Sequence, residues 1–509
     1  MSAGFIVLGN TELFANYFTN AGLVLNILES QEKASMQSSH CQIWYRIFVS
    51  LALLSLTACG GSSSSTTPQP VTVSIANSAC AASLTNPCPI GVGANWQLSA
   101  TVSGAANQNV TWSISPSGSG TIASGTGLYI APPAVPTPAV VTITATSVAD
   151  SSAKASIMVT VVPNDPIGTV KSFTQFPGPQ SCPASSVNYG SNFGGQGTCF
   201  QLATSCPEIA DFSAYLKVNT PIGAPKGTVL FGVGTGGSGL YDDPNPPGYT
   251  DGSMVVQSLL TSGYNTVQVS FGGPFDNGSS PRGWLTGPGG VRRLACRYAT
   301  VADWVYNHPA LINTGNVNAT NSAPMCATGN SGGSAVIAYA VYEYGLDTEL
   351  KMIEPTSGPV MTRLDLGCSP PGSSTFLNAC TNSQQDMSYS TGGSSGGDAA
   401  VIDQAYQSAG ATTPTPCTDA INGTPAPAGL FLSDSILYLG AQSINLPNLK
   451  VGQVFGDSDT SNAVPQGTFW NQSIPSIPAP VCLQNVAHDI PSFPAGATQI
   501  ANDIAAGCH

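Results

Sequence analysis

The segment from Cys326 to Gly345 constrains the fold of this chain more than any other. A short apolar stretch leads into Gly329-Asn330-Ser331-Gly332-Gly333, and a helix-favouring apolar run follows and ends at Gly345. A serine on a sharp turn between a strand and a helix needs almost no side chain two residues before and two residues after it, because those positions pack together. The turn also brings the N–H of Gly332 and the positive helix end beside the hydroxyl. The pattern predicts a strand–turn–helix unit with Ser331 as an activated nucleophile; the alternative is a glycine-rich loop with a surface serine.

Length and charge narrow the class of protein. A chain of 509 residues is long enough for two or more folded units. Only 8% of its residues are charged, against about 25% in average soluble proteins. The formal net charge of −13 disfavours a nucleic-acid partner, since phosphate backbones attract basic surfaces. Sparse charge together with 14 cysteines favours an exported protein over a cytosolic one.

The amino-terminal region has the pattern of an export signal. Arg46 precedes a short apolar run, and Leu56-Thr57-Ala58-Cys59 resembles the bacterial lipobox. We therefore expect residues 36–58 to be a lipoprotein signal peptide and Cys59 to carry the lipid that attaches the protein to a membrane. Residues 1–35 are then an incorrectly assigned start or an unstructured extension. The expected location is the bacterial outer membrane, the cell surface or the extracellular space; an uncleaved apolar anchor is the alternative.

The remaining cysteines form even sets, as a disulfide framework requires. Cys80 and Cys88 lie close together and are expected to pair, while ten cysteines from Cys182 to Cys508 leave the connectivity open. Cys-x-x-Cys spacing is missing and histidine is scarce, which disfavours a zinc site. We expect neither a metal nor a cofactor.

Residues 59–163 read as a tether followed by an all-β region. Residues 59–70 are rich in Gly, Ser, Thr and Pro, as in flexible linkers. Short alternating runs follow over 71–163, for example Val110-Thr111-Trp112-Ser113-Ile114, which has the period of a half-buried strand. The segment resembles bacterial immunoglobulin-like domains, which implies a β-sandwich. It carries almost no ionisable residues, so we expect it to be a spacer; polymer binding is the alternative.

Residues 170–509 alternate between strands and helices, which predicts an α/β domain with a mostly parallel sheet flanked by helices. Residues 360–440 interrupt the alternation and predict a lid-like insertion. The elements expected around it are strands at 228–231, 266–271, 350–354 and 450–455 and helices at 253–262, 291–307 and 495–506.

A serine nucleophile needs a base and an acid that orients the base. Of the histidines, His308 lies at a predicted helix end and His509 is the last residue, so His488, in a loop before the last predicted helix, is the best candidate base. The acid is expected after a late strand, where Asp459 is the first choice and Asp457 the alternative.

The order Ser331…Asp459…His488 and the Gly-x-Ser-x-Gly turn resemble the α/β-hydrolase superfamily over most of residues 170–509. The resemblance implies a serine esterase whose oxyanion hole combines the N–H after the nucleophile, Gly332, with one from the loop after an early strand. In this sequence that loop is Gly234-Thr235-Gly236, and Thr235 is the expected second donor. Val233 stands where such loops usually carry a histidine.

The expected reaction is hydrolysis of carboxylic esters, and polymeric esters are among the candidate substrates. A secreted peptidase of the same fold and an inactive surface binding protein are the alternatives. A chymotrypsin-like protease is disfavoured, because that fold needs a histidine and an aspartate before the serine and only His308 precedes Ser331 in the predicted mature chain.

Overall fold

The structure is a computed structural model of the chain. The predicted signal peptide (36–58), its lipid-bearing Cys59, the extension 1–35 and Cys80 lie outside the described residues. The described residues are 69–76, 87–93, 95–176, 182–183, 185–246, 248–276, 283–309, 324–392, 397–408, 410–438, 446, 448–474 and 477–509.

Between residues 72 and 162, the elements that the described residues form are all strands, as the alternating pattern predicts. Val110, Trp112 and Ile114 are more buried than Thr111 and Ser113, so one face of their strand contacts the core. The strands form a four-stranded, a three-stranded and a two-stranded sheet, and the immunoglobulin-like assignment stays a prediction. The strands are β1 Thr72–Ala76, β2 Cys88–Gly91, β3 Asn95–Gln97, β4 Ser99–Ser103, β5 Val110–Ser115, β6 Thr121–Ile122, β7 Leu128–Ile130, β8 Val140–Ser147 and β9 Lys154–Val162.

A ten-stranded sheet lies beyond residue 168, with the strand order β10-β11-β12-β14-β13-β15-β16-β20-β21 and β19 beside β16. Its first three strands pair antiparallel, and β13 to β16 and β19 to β21 run parallel. Parallel strands end at the same edge, so the loops that follow them meet there. The strands are β10 Thr169–Gln175, β11 Thr198–Ser205, β12 Phe212–Asn219, β13 Gly227–Gly232, β14 Tyr264–Ser270, β15 Met325–Asn330, β16 Leu350–Thr356, β19 Lys450–Val451, β20 Val454–Gly456 and β21 Val481–Leu483.

Helices cover both faces of this sheet. Along β13, Val229 and Phe231 belong to one apolar cluster and Leu230 to the other, because alternate side chains of a strand point to opposite faces. The buried residues of α1 and α10 join the first cluster, and those of α3 and α4 join the second. The helices are α1 Gly252–Thr261, α2 Val291–Leu294, α3 Cys296–Asn307, α4 Gly332–Tyr342, α5 Leu364–Gly367, α6 Gly397–Asp403, α7 Pro416–Ile421, α8 Leu430–Asp434, α9 Ala463–Gln472 and α10 Pro494–Gly507.

Three sequence expectations need correction. The helix expected at 291–307 is two consecutive helices that are separated at Ala295. The strand expected at 450–455 is likewise two short strands, since Gly452 and Gln453 leave the ladder. The sequence expectations also lacked the antiparallel strands β10 to β12, which follow one another directly in the chain.

In the insertion at 360–440, the described residues form short helices and a hairpin, β17 Thr375–Leu377 with β18 Gln384–Asp386. The disulfide Cys368–Cys417 lies within the insertion, and Cys380–Cys482 links it to β21. The disulfides join Cys182–Cys199, Cys206–Cys296, Cys326–Cys508, Cys368–Cys417 and Cys380–Cys482.

Cys88 is also disulfide-bonded, and its pairing with Cys80 stays a prediction. Within the part of the chain that the structure describes, no helix combines the length and the apolar character that a bilayer crossing requires.

Candidate active site

The turn between β15 and α4 holds Ser331 in a strained backbone conformation. Its φ of 56° and ψ of −120° lie where non-glycine residues are rarely found and persist only when the surrounding structure imposes them. The glycines around it allow this, since a Cβ on Gly333 would collide with the carbonyl oxygen of Gly232 on the neighbouring strand. A Cβ on Gly329 would lie 2.7 Å from the carbonyl carbon of Gly333. The small residues flanking the serine are therefore required by close backbone packing.

His488 and Asp459 lie together at the edge of the sheet where the parallel strands end. Nδ1 of His488, in the loop after β21, lies 3.0 Å from Oδ2 of Asp459, in the loop after β20. The Asp459 side chain is 1% exposed and that of His488 34%. A neutral imidazole that donates from Nδ1 leaves Nε2 free to accept a proton.

Asp457, the alternative acid, has other partners. Its Oδ1 accepts hydrogen bonds from the backbone N–H of Asn485 at 2.7 Å and from the hydroxyl of Ser458 at 3.0 Å. Asp457 therefore links the loop after β20 to the loop after β21. Of the two aspartates, Asp459 is the one that contacts His488.

Two serines that the sequence analysis missed complete the surroundings of Asp459. Ser357 donates its hydroxyl to Oδ2 at 3.0 Å, and the N–H of Ser461 donates to Oδ1 at 2.9 Å. The Ser461 hydroxyl also lies 3.0 Å from Nδ1 of His488. A backbone hydrogen bond to an aspartate two residues earlier is a common turn motif, so Ser461 could have been found from the sequence. Ser357 directly follows β16 and is far from Asp459 in the sequence.

The carboxylate and the imidazole shift each other's protonation. Burial alone would raise the pKa of Asp459, but the hydrogen bond and charge of His488, with help from Ser461, hold it below its ordinary value. Burial likewise opposes the charged form of His488, but Asp459 outweighs that effect, and the charges of Asp489 and Asp398 add to it. The pKa of His488 is therefore raised above its ordinary 6.5. Protonation of His488 is stabilised, as a proton acceptor at Nε2 requires.

The expected oxyanion loop lies directly against the turn. Thr235 has a positive φ of 54°, and a Cβ on Gly332 would collide with its carbonyl oxygen. The neighbouring Gly234 donates its N–H to the hydroxyl of Tyr249 at 2.8 Å. That N–H is engaged with the tyrosine, which favours Thr235 over Gly234 as the second donor. Tyr249 is a further residue that the sequence analysis did not identify.

The serine, the base and both expected oxyanion residues open onto one cavity of about 130 Å³. Six residues of the insertion also line it, which places part of the insertion beside Ser331. The lining residues are Thr235, Ser331, Gly332, Val360, Met361, Tyr389, Asp398, Val401, Ile402, Ser461, Asn462 and His488. His308 has no place there: its Nδ1 lies 2.7 Å from the carbonyl oxygen of Trp304 on α3, and its ring stacks on that indole.

The strand order decides the fold. From β11 to β21 the order is β11-β12-β14-β13-β15-β16-β20-β21, with β12 antiparallel to its neighbours and the sharp serine turn directly after β15. The region has the α/β-hydrolase fold. Ser331, Asp459 and His488 also follow each other in the chain order that this fold uses.

No protein-family model and no curated protein matches this chain. Among solved structures it is similar to the esterase domain of a Rhodothermus marinus protein (10% identity, 60% of this chain and 96% of that one, TM-score 0.34). It is also similar to an alpha-beta serine hydrolase homologue from Coxiella burnetii (13%, 61% and 97%, 0.32). A third similar structure is the siderophore hydrolase EstB from Aspergillus fumigatus (10%, 58% and 93%, 0.34). At such low identities and TM-scores, the fold assignment rests on the strand order and the serine turn of this chain.

Proposed function

We propose that the protein is a serine hydrolase that cleaves carboxylic esters. The observation that carries the proposal is the hydrogen bond between His488 and the buried Asp459, beside the cavity onto which the strained Ser331 opens. A strained serine and an oriented imidazole at one cavity are the parts of an activated nucleophile.

In the first half-reaction, the Ser331 oxygen attacks the acyl carbon while its proton passes to Nε2 of His488. Asp459 holds the imidazole by Nδ1 and stabilises the positive charge it gains. The N–H groups of Gly332 and Thr235 donate to the oxyanion, and loss of one such donor costs about 10²–10³ in rate. The intermediate collapses by breaking the bond between the acyl carbon and the alcohol oxygen, and His488 returns its proton to the departing alcohol.

In the second half-reaction, water attacks the acyl-Ser331 ester. His488 takes a proton from the water, the oxyanion forms again, and the bond between the acyl carbon and Ser331 breaks. The carboxylic acid leaves, and His488 restores the proton of the serine hydroxyl. No external reductant, oxidant or metal enters this balance.

The test is hydrolysis of p-nitrophenyl butyrate and of peptide p-nitroanilides by the full chain and by Ser331→Ala. We expect ester hydrolysis that falls by about 10⁶ in kcat without the serine, the scale seen when a nucleophile is removed. Ser458→Ala is the matched control, since its hydroxyl contacts only the loop carboxylate described above. Cleavage of the amides but not the ester would favour a peptidase, and no cleavage of either by folded protein would favour a binding protein.

We also propose that the protein is exported and lipid-anchored at Cys59. The support is the lipobox-like sequence and the five disulfides of the catalytic region, which suit an oxidising compartment. In a bacterial host fed with labelled palmitate, the protein is expected in the membrane fraction with label, and Cys59→Ala is expected to lose both. Unlabelled wild-type protein would contradict the anchor.

A further inference from the structure

We propose that the cavity beside Ser331 is an acyl site for a short, uncharged acyl group of about two to four carbons. This inference rests on the proposed function and names its substrate class. It starts from the size of the cavity, about 130 Å³. A dry engineered cavity of about 150 Å³ binds benzene, a molecule of six heavy atoms, whereas sites for drug-sized ligands measure roughly 300–1,000 Å³.

The acyl group must lie in this cavity because its carbonyl carbon has to meet the serine while its oxygen faces Gly332 and Thr235. All three residues line the cavity. A butyryl group has five heavy atoms and matches the space, while an octanoyl group has nine and exceeds it. The alcohol part leaves after the first half-reaction and carries no such restriction, so a short acyl group on a large alcohol remains a suitable substrate.

Tyr389 is a fixed wall of this cavity. Its side chain is 3% exposed, its hydroxyl donates to the carbonyl oxygen of Val360 at 2.8 Å, and its N–H donates to the carbonyl oxygen of Gly367 at 2.8 Å. The ring lies so close to Gly367 that a Cβ there would collide with it. With contacts on both the ring and the hydroxyl, the tyrosine has no free rotamer to swing into, so the cavity does not lengthen at this side.

Apart from Ser331, His488, the two expected oxyanion residues, Ser461 and Asn462, the wall is apolar except for one carboxylate. Met361 and Ile402 are each 2% exposed and leave no partner for a charged acyl end. Asp398 lies on the same wall, with Oδ2 accepting from Nδ2 of Asn462 at 3.0 Å and from the hydroxyl of Ser390 at 3.1 Å. An anionic acyl group would meet like charge there, which disfavours it.

The test measures kcat/KM of the full chain on p-nitrophenyl acetate, butyrate and octanoate. Because one misfitted methylene costs roughly 10-fold or more, we expect octanoate to be hydrolysed at least 10-fold less efficiently than butyrate. Tyr389→Ala is expected to raise the octanoate-to-butyrate ratio at least 10-fold. Equal or rising efficiency with chain length would overturn the inference and leave the proposed function standing. Failure to cleave any ester, by protein with a native near-UV spectrum, would overturn the proposed function itself.

Since removal of a buried tyrosine can unfold a protein, a second variant fills the cavity instead. Val401 is half-buried on α6 and lines the cavity, so Val401→Phe is expected to lower the butyrate-to-acetate ratio about 10-fold. Met254→Phe, at a side chain 43% exposed on α1, is the matched control and is expected to leave that ratio unchanged. An unchanged ratio in folded Val401→Phe would overturn the inference.

The charge of the acyl group is tested with p-nitrophenyl hemisuccinate against butyrate. We expect the wild type to favour butyrate at least 10-fold and Asp398→Asn to reduce that preference severalfold. The ratio at one pH cancels any change in the base, since both esters use the same His488. Equal efficiency on the two esters in the wild type would overturn the uncharged-acyl part of the inference.

Discussion

Replacement of Asp459 by asparagine is the change that best distinguishes the role of Asp459 from that of Asp457. The Asp459 carboxylate is held by Ser357, by the Ser461 N–H and by His488, so an amide of the same shape fits without a cavity. An amide that presents its NH₂ group to Nδ1 of His488 forces the imidazole proton onto Nε2, which can then no longer accept a proton. It also removes the charge that stabilises the imidazolium.

The same change in a serine triad lowers kcat about 10⁴-fold, which corresponds to about 5 kcal/mol of transition-state stabilisation. We expect that loss in Asp459→Asn on p-nitrophenyl butyrate, with KM changed by less than about threefold because the acyl site is untouched. The assay is steady-state release of p-nitrophenol at a pH on the alkaline plateau of the wild-type pH–rate profile.

Asp457→Asn is the matched control, two residues away in the same loop. Its carboxylate contacts Ser458 and Asn485 and no group at the cavity, so we expect kcat within about threefold of wild type. A larger loss in Asp457→Asn than in Asp459→Asn would refute the reasoning. So would full activity in Asp459→Asn.

Three further outcomes are expected. Ser461→Ala keeps the backbone bond to Asp459 but removes a hydroxyl beside His488, so kcat should fall about 5- to 10-fold, the worth of one hydrogen bond; an unchanged kcat and pH profile would contradict its positioning role. His488 acts as a base only when neutral and its pKa is raised by Asp459, so kcat/KM should decline on the acid side with a midpoint above pH 6.5, and a midpoint well below that would contradict the pairing. Lys217 and Asp242 form a fully buried ion pair at 2.5 Å, so Lys217→Met should lower the free energy of urea unfolding by about 3–5 kcal/mol; a loss under about 1 kcal/mol would show that the pair contributes little.

The serine turn could be predicted because its need for small residues produces a short, recognisable sequence pattern. Gly329, Gly332 and Gly333 lie where neighbouring backbone leaves no room for a Cβ, and the requirement for glycine at these positions is visible in the sequence. The order of Ser331 and His488 along the chain was likewise readable, since few histidines compete for the role.

The strand pairing, and the residues that support the triad or line the cavity, could not be predicted from the sequence in the same way. The edge strand β10 is largely exposed and lacks the alternation that marks a half-buried strand. Ser357 reaches Asp459 from 102 residues away, so only the tertiary fold brings the two together. Six of the residues that line the cavity come from the insertion at 360–440, whose Gly/Ser/Thr-rich sequence has no period that would identify Tyr389 as a lining residue.

The most direct test of the central claim is covalent trapping of Ser331. Folded protein is treated with a fluorophosphonate, and the labelled peptide is identified by mass. We expect one probe per chain on Ser331, with labelling abolished in Ser331→Ala, lost after unfolding and strongly slowed in His488→Ala. Folded protein that takes up no probe at Ser331, or that is labelled equally well after unfolding, would contradict the claim that this serine is an activated nucleophile.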